Sequence, residues 1–127
     1  METSYLTPVY ISLGAILGAL SRYFLTLYFT QRLNRNFPYG TFFINITGAF
    51  GMGFSATILQ KMSAEQWLNA FINIGFLGAY TTFSTYVLDC SNLWKLGNYK
   101  RALLYGLASP AIGFLAVEMG IALAQHF

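Results

Sequence analysis

Charge is nearly missing from this sequence. Only 9% of its 127 residues are Asp, Glu, Lys or Arg, where a soluble domain carries about a quarter. With 18% aromatic residues and a mean hydropathy of +0.53, the solvent implied is a bilayer. Cysteine is down to Cys90, which excludes an intramolecular disulfide and leaves too few sulfur ligands for a structural zinc site. Histidine is down to His126, near the C-terminus, so no catalytic triad can be assembled. With no nucleophile–base pair, metal-ligand cluster or phosphate loop in sight, the chain does not read as an enzyme. The start carries Glu2 and no basic stretch, so no cleavable signal is expected. The net charge of +3 is dispersed over short connectors and is not a nucleic-acid footprint.

What is abundant is apolar sequence in long runs. Four segments cover about Tyr5 to Thr30, Thr41 to Leu59, Trp67 to Leu93 and Ala102 to Ala124. Each is near or above the ~20 residues that cross a ~30 Å hydrocarbon core. The expectation is one all-α domain over residues 1–127 with four transmembrane helices, about 5–30, 41–59, 67–93 and 102–124. The connectors Gln31–Gly40, Gln60–Gln66 and Trp94–Arg101 hold most of the charges and leave no room for a soluble domain. An even number of spans puts both termini on one side, with Lys61. The other side carries Arg32, Arg35, Lys95, Lys100 and Arg101, which favours those two connectors in the cytoplasm and both termini outside.

One stretch is poor helix material at mid-membrane depth: Gly75-Phe76-Leu77-Gly78-Ala79-Tyr80-Thr81-Thr82-Phe83-Ser84-Thr85-Tyr86. Its two glycines lower helix stability, and its hydroxyls compete for backbone groups. An unpaired backbone group costs several kcal/mol in hydrocarbon, so irregular backbone survives only inside protein or beside water. Two readings are open for this stretch, a ligand site and a small, polar packing face.

Other segments carry their own signals. Gly14 and Gly18 in the first span form a GxxxG pair that lets backbones approach. Arg22 follows inside the apolar run; it either pairs with Asp89 at a similar depth or joins a ring of charge that attracts anions. In the second span Thr41, Asn45, Gly48, Met52 and Ser55 share one face. Asn45 can offer its amide protons to an anion, or bond across to a neighbouring helix. The fourth span carries a seam of small residues, Ala102, Gly106, Ser109, Gly113, Ala116, Gly120 and Ala124, that argues for tight helix contact. Tyr105 and Ser109 offer two hydroxyls on its edge. Pro110 cannot donate to the carbonyl of Gly106, which is therefore freed. Glu118 lies in the same apolar run and is protonated, paired or facing water.

These motifs resemble the Fluc (CrcB) fluoride channel family. The resemblance rests on Gly14-Ala15-Ile16-Leu17-Gly18-Ala19-Leu20-Ser21-Arg22-Tyr23, on Pro38-Tyr39-Gly40-Thr41-Phe42-Phe43-Ile44-Asn45-Ile46-Thr47-Gly48, and on Gly75 through Thr85, in family order over nearly the whole chain. It implies a passive fluoride export channel in a microbial cell membrane, a dimer of two antiparallel four-helix subunits with a broken third helix and two ion pathways. It implies a structural sodium ion at the dimer centre, held here by the carbonyls of Gly78 and Thr81. By the same resemblance the fluoride pathway takes Asn45, Thr41, Phe83, Tyr105 and Ser109. Tyr86 stands where the family has its second aromatic-box phenylalanine, and Asp89 where it commonly has a glutamate. An aromatic ring has a positive edge, so rings edge-on to the path can meet an anion.

An antiparallel homodimer needs one sequence to insert both ways, and the basic residues here fall five against one. The bias suggests a chain that inserts one way and pairs with a sister subunit of opposite bias. Two alternative functions fit the same segments. A small multidrug-resistance-type proton-coupled exporter would need an embedded carboxylate, for which Glu118 is the candidate. A non-conducting partner subunit of a heterodimeric fluoride channel is the other.

Overall fold

The computed structural model describes residues 5–33 and 36–127; Glu2 and Arg35, used above for the chain start and the charge bias, lie outside them. Helix α1 runs Thr7–Arg32, with Pro8 in its first turn where a missing N–H costs nothing. Helix α2 is Tyr39–Lys61 and follows Pro38 directly. The third apolar segment folds in pieces: α3 at Gln66–Asn69, a π-helical stretch at Ala70–Leu77, and a single turn α4 at Gly78–Tyr80. Two extended residues, Thr81 and Thr82, then separate α4 from α5 at Phe83–Lys95. Helix α6 covers Tyr99–Ala124 and runs through Pro110 without a break. Among the described residues there is no strand.

Three of these helices, α1, α2 and α6, are long and apolar enough to cross a membrane. Large apolar side chains face outward, among them Leu17 and Phe24 on α1 and Leu107, Phe114 and Met119 on α6. Such a surface invites aggregation in water and suits lipid tails. The chain is an all-helical membrane protein.

Inside, the helices meet through small residues. Gly14 and Gly18 are the buried residues of α1. A Cβ at Gly14 would strike the carbonyl oxygen of Phe71, and one at Gly18 that of Phe76, so α1 lies backbone-to-backbone on the π-helical stretch. Tyr10 also meets Trp67, with ring centroids 5.6 Å apart, so the two elements run the same way. The second tight pair is α2 with α6. Ala102, Ser109, Ala116, Gly120 and Ala124 of the small-residue seam are buried there, with Tyr105. At one end of this pair the Nζ of Lys61 donates to the carbonyls of Ala124 and Gln125, each at 3.2 Å. A cation at a helix C-terminus offsets the negative end of its dipole. Lys61→Met is expected to lower stability by about 0.5–1 kcal/mol, read as a reduced melting temperature of the purified protein.

Candidate functional site

The break in the third segment is built by a side chain from α2. The Oδ1 of Asn45 accepts the N–H of Thr82 at 2.8 Å, and its Nδ2 donates to the carbonyl of Thr82 at 2.9 Å. One amide thus satisfies both backbone groups of an extended residue, where a helix would have used its own turns. Thr82 in turn caps α5: its Oγ1 accepts the N–H of Thr85 at 3.2 Å. Of the two readings of Asn45, the interhelical bond is made. The amide nitrogen keeps a second proton for another acceptor.

The break leaves the carbonyls of the preceding turn over. In a continuous helix the N–H of Thr82 would donate to Gly78 and that of Thr85 to Thr81. Here the first goes to Asn45 and the second to the Thr82 hydroxyl. Gly78 and Thr81 therefore both lose their helical donors, as do Ala79 and Tyr80, whose donors would be the first two N–H groups of α5. The extended backbone lies at Thr81 (ψ 157°) and Thr82 (φ −147°, ψ 118°), while Gly78 to Tyr80 is still helical.

The break also redirects the chain. Ahead of it, the π-helical stretch and α4 pack on α1; beyond it, α5 packs on α6. Leu93 of α5, with Ala102 and Tyr105 of α6, forms a buried cluster flanked by Phe37, Phe42 and Tyr86. This corrects one expectation. Arg22 and Asp89 form no ion pair, because α5 has left α1 by the time the chain reaches Asp89; among the described residues there is no salt bridge between them. The Asp89 carboxylate accepts instead from the Tyr105 hydroxyl at 3.4 Å, a long hydrogen bond.

The residues singled out in the sequence fall around two hollows. A groove of about 390 Å³ is lined by Asn45, Thr81, Thr82, Phe83, Tyr86, Ser109 and Pro110, with apolar side chains of α2 and α6. The rings of Phe83 and Tyr86 stand side by side in it, centroids 5.8 Å apart and planes at 41°. A cavity of about 480 Å³ is lined by Thr41, Asp89, Thr85, Asn92 and Thr30, with Phe37 and neighbouring residues. Tyr105 lies between them, fully buried: its hydroxyl reaches Asp89 and its ring meets that of Tyr86 at 5.3 Å. Gly78 lines neither hollow. The Tyr86 hydroxyl donates to the carbonyl of Gly106 on α6. Glu118 is exposed on α6 and does not line the groove.

Two polar features escaped the sequence reading. Thr82 is the hinge of the site, and its signal was the Thr82–Thr85 spacing of a helix cap ahead of an apolar run. Asn73 is buried in the π-helical stretch, donates to the Oδ1 of Asn69 at 2.6 Å and accepts from the Ser55 hydroxyl. Its signal was a pair of asparagines one turn apart facing the polar edge of α2.

Comparison with known proteins gives the family. Residues 9–121 match the family model described as CrcB-like protein, Camphor Resistance (CrcB). The chain is 43% identical to the "Fluoride-specific ion channel FluC" of Synechococcus sp. (strain JA-2-3B'a(2-13)), covering 98% of this chain and 97% of that one. It is 48% identical to the protein of the same name from Trichormus variabilis, over 93% of this chain and 88% of the relative. It is 41% identical to the "Fluoride-specific ion channel FluC 2" of Clostridium acetobutylicum, over 91% and 95%. The family model over residues 9–121 and relatives that match at least 91% of this chain make this protein a member of the CrcB family.

Proposed function

We propose that the chain is a fluoride channel subunit that lets fluoride leave the cell passively. The observation that carries this reading is the groove in which Asn45, the Phe83–Tyr86 ring pair and Ser109 meet beside the broken backbone, in a chain whose relatives are named fluoride-specific. Fluoride is small and strongly hydrated, so a path through lipid must replace its water with other donors. The spare amide proton of Asn45 and the hydroxyls of Ser109 and Thr41 are the donors this chain can supply, while the proton of Tyr105 goes to Asp89. The edges of Phe83 and Tyr86 add weakly positive C–H groups. Weak sites in sequence suit conduction, since an ion must leave as readily as it enters.

In this reading the pieces from Gln66 to Lys95 form a fourth crossing, and the subunit sits in the cell membrane as a multi-pass protein. Two subunits lie antiparallel. Phe83 is 76% exposed although it lines the groove, and a second subunit laid against this face would close it. The partner is an identical chain or a sister chain of opposite charge bias. Gly78 and Thr81 suit a structural sodium ion at that interface, because both carbonyls have lost their helical donors and a hard cation takes oxygen ligands. Bound there, sodium would supply positive charge against the carbonyl ends of the broken turn. A proton-coupled exporter is less well supported, since Glu118 stands away from the groove. Fluoride efflux from liposomes holding the purified chain tests the proposal: efflux well above that of chloride supports it.

A further inference from the structure

Pro110 has no N–H, so the carbonyl of Gly106 four residues earlier lacks the donor that a helix would provide. At membrane depth that carbonyl has no water to turn to. The hydroxyl of Tyr86, from α5, donates to it. A phenol has one proton to give. Once spent on Gly106, it is not free for an anion in the groove. The same bond fixes the ring, which is held from either side by Phe83 at 5.8 Å and Tyr105 at 5.3 Å.

We propose that the Tyr86 hydroxyl is a cross-helix cap for the carbonyl that Pro110 orphans, and that Tyr86 is a positioning residue whose ring edge, not its hydroxyl, faces the ion. Tyr86 and Pro110 are then one device: tyrosine is needed at 86 because proline stands at 110. Without the cap, the ring would gain freedom to turn and α5 would lose a tie to α6 beside the groove. The role of the ring rests on the channel reading; the cap does not.

The test is a double-mutant cycle on the purified full chain, with Y86F, P110A and Y86F/P110A. Alanine at 110 restores the N–H to Gly106, so the hydroxyl should matter only while Pro110 is present. Two readouts are taken, thermal unfolding in detergent and fluoride efflux from liposomes. In the wild-type background Y86F is expected to lower the melting temperature by about 4–8 °C. It should also lower the maximal efflux rate roughly three- to tenfold and leave the half-saturating fluoride concentration unchanged. In the P110A background the same substitution should shift melting by less than about 2 °C. Equal melting penalties in both backgrounds, or none in either, would overturn the cap. A shift in half-saturating fluoride with no change in melting would assign the hydroxyl to the ion and overturn it as well. Should the wild-type chain alone pass no fluoride, the reading of it as a self-sufficient channel fails, while the melting cycle still decides the cap.

Discussion

Asn45→Ala is expected to stop fluoride flux and to loosen the fold at once. The substitution strips the N–H of Thr82 of its acceptor and takes one donor from its carbonyl, which keeps the first N–H bond of α5, in a region with little water to replace them. Leaving that N–H unpaired costs about 1–3 kcal/mol. The carbonyls of Gly78 and Thr81 lose their placement with the break, and the groove loses its one amide donor. Efflux should fall by a factor on the order of 100, from the lost hydrogen bond to a charged ion and the misplaced break together. Asn45→Asp separates the two effects. It can still accept from the Thr82 N–H but cannot donate to the carbonyl, and it puts a negative charge on an anion path. It should melt closer to wild type than Asn45→Ala and conduct as poorly. Thermal unfolding and liposome efflux on the two variants read this out. A conducting Asn45→Ala would show that the break holds itself.

The second large effect is Gly120→Ala. A Cβ there would overlap the carbonyl oxygen of Phe50 and come within 2.8 Å of the backbone nitrogen of Phe54. Backbone cannot step aside as a side chain can, so α2 and α6 must separate. The expected loss is about 3 kcal/mol or more, at or beyond the upper end for overpacking. Gly113→Ala is the control on the same helix. Its Cβ would meet only the Cδ1 of Ile46, at 4.0 Å, and replacing a helical glycine by alanine brings about 1 kcal/mol of propensity. Gly113→Ala should melt no lower than wild type, while Gly120→Ala should yield little folded protein.

That contrast shows what the sequence could and could not disclose. The small-residue seam from Ala102 to Ala124 was legible as a packing face, because period and residue size are both local properties. Which of its glycines touch backbone was not, since that depends on where α2 lies. The weak helix in the third segment was legible for the same local reasons. Its break falls at Thr81 and Thr82 because Asn45, thirty-seven residues earlier in sequence, supplies the bonds that make extended backbone affordable there. The expected Arg22–Asp89 pair was reasoned from depth alone. Depth follows from counting along a span, but lateral position does not, and the break had carried α5 across to α6. The freed carbonyl of Gly106 was likewise readable from Pro110, whereas its partner Tyr86 became visible only once α5 was seen beside α6.

The chain on its own is expected to conduct fluoride through the groove beside Asn45. The most direct measurement is anion efflux from liposomes containing the lone purified chain, loaded in parallel with fluoride and with chloride. Rapid fluoride efflux, little chloride efflux, and loss of the fluoride signal in Asn45→Ala are expected. Fluoride efflux no faster than chloride efflux would contradict that expectation.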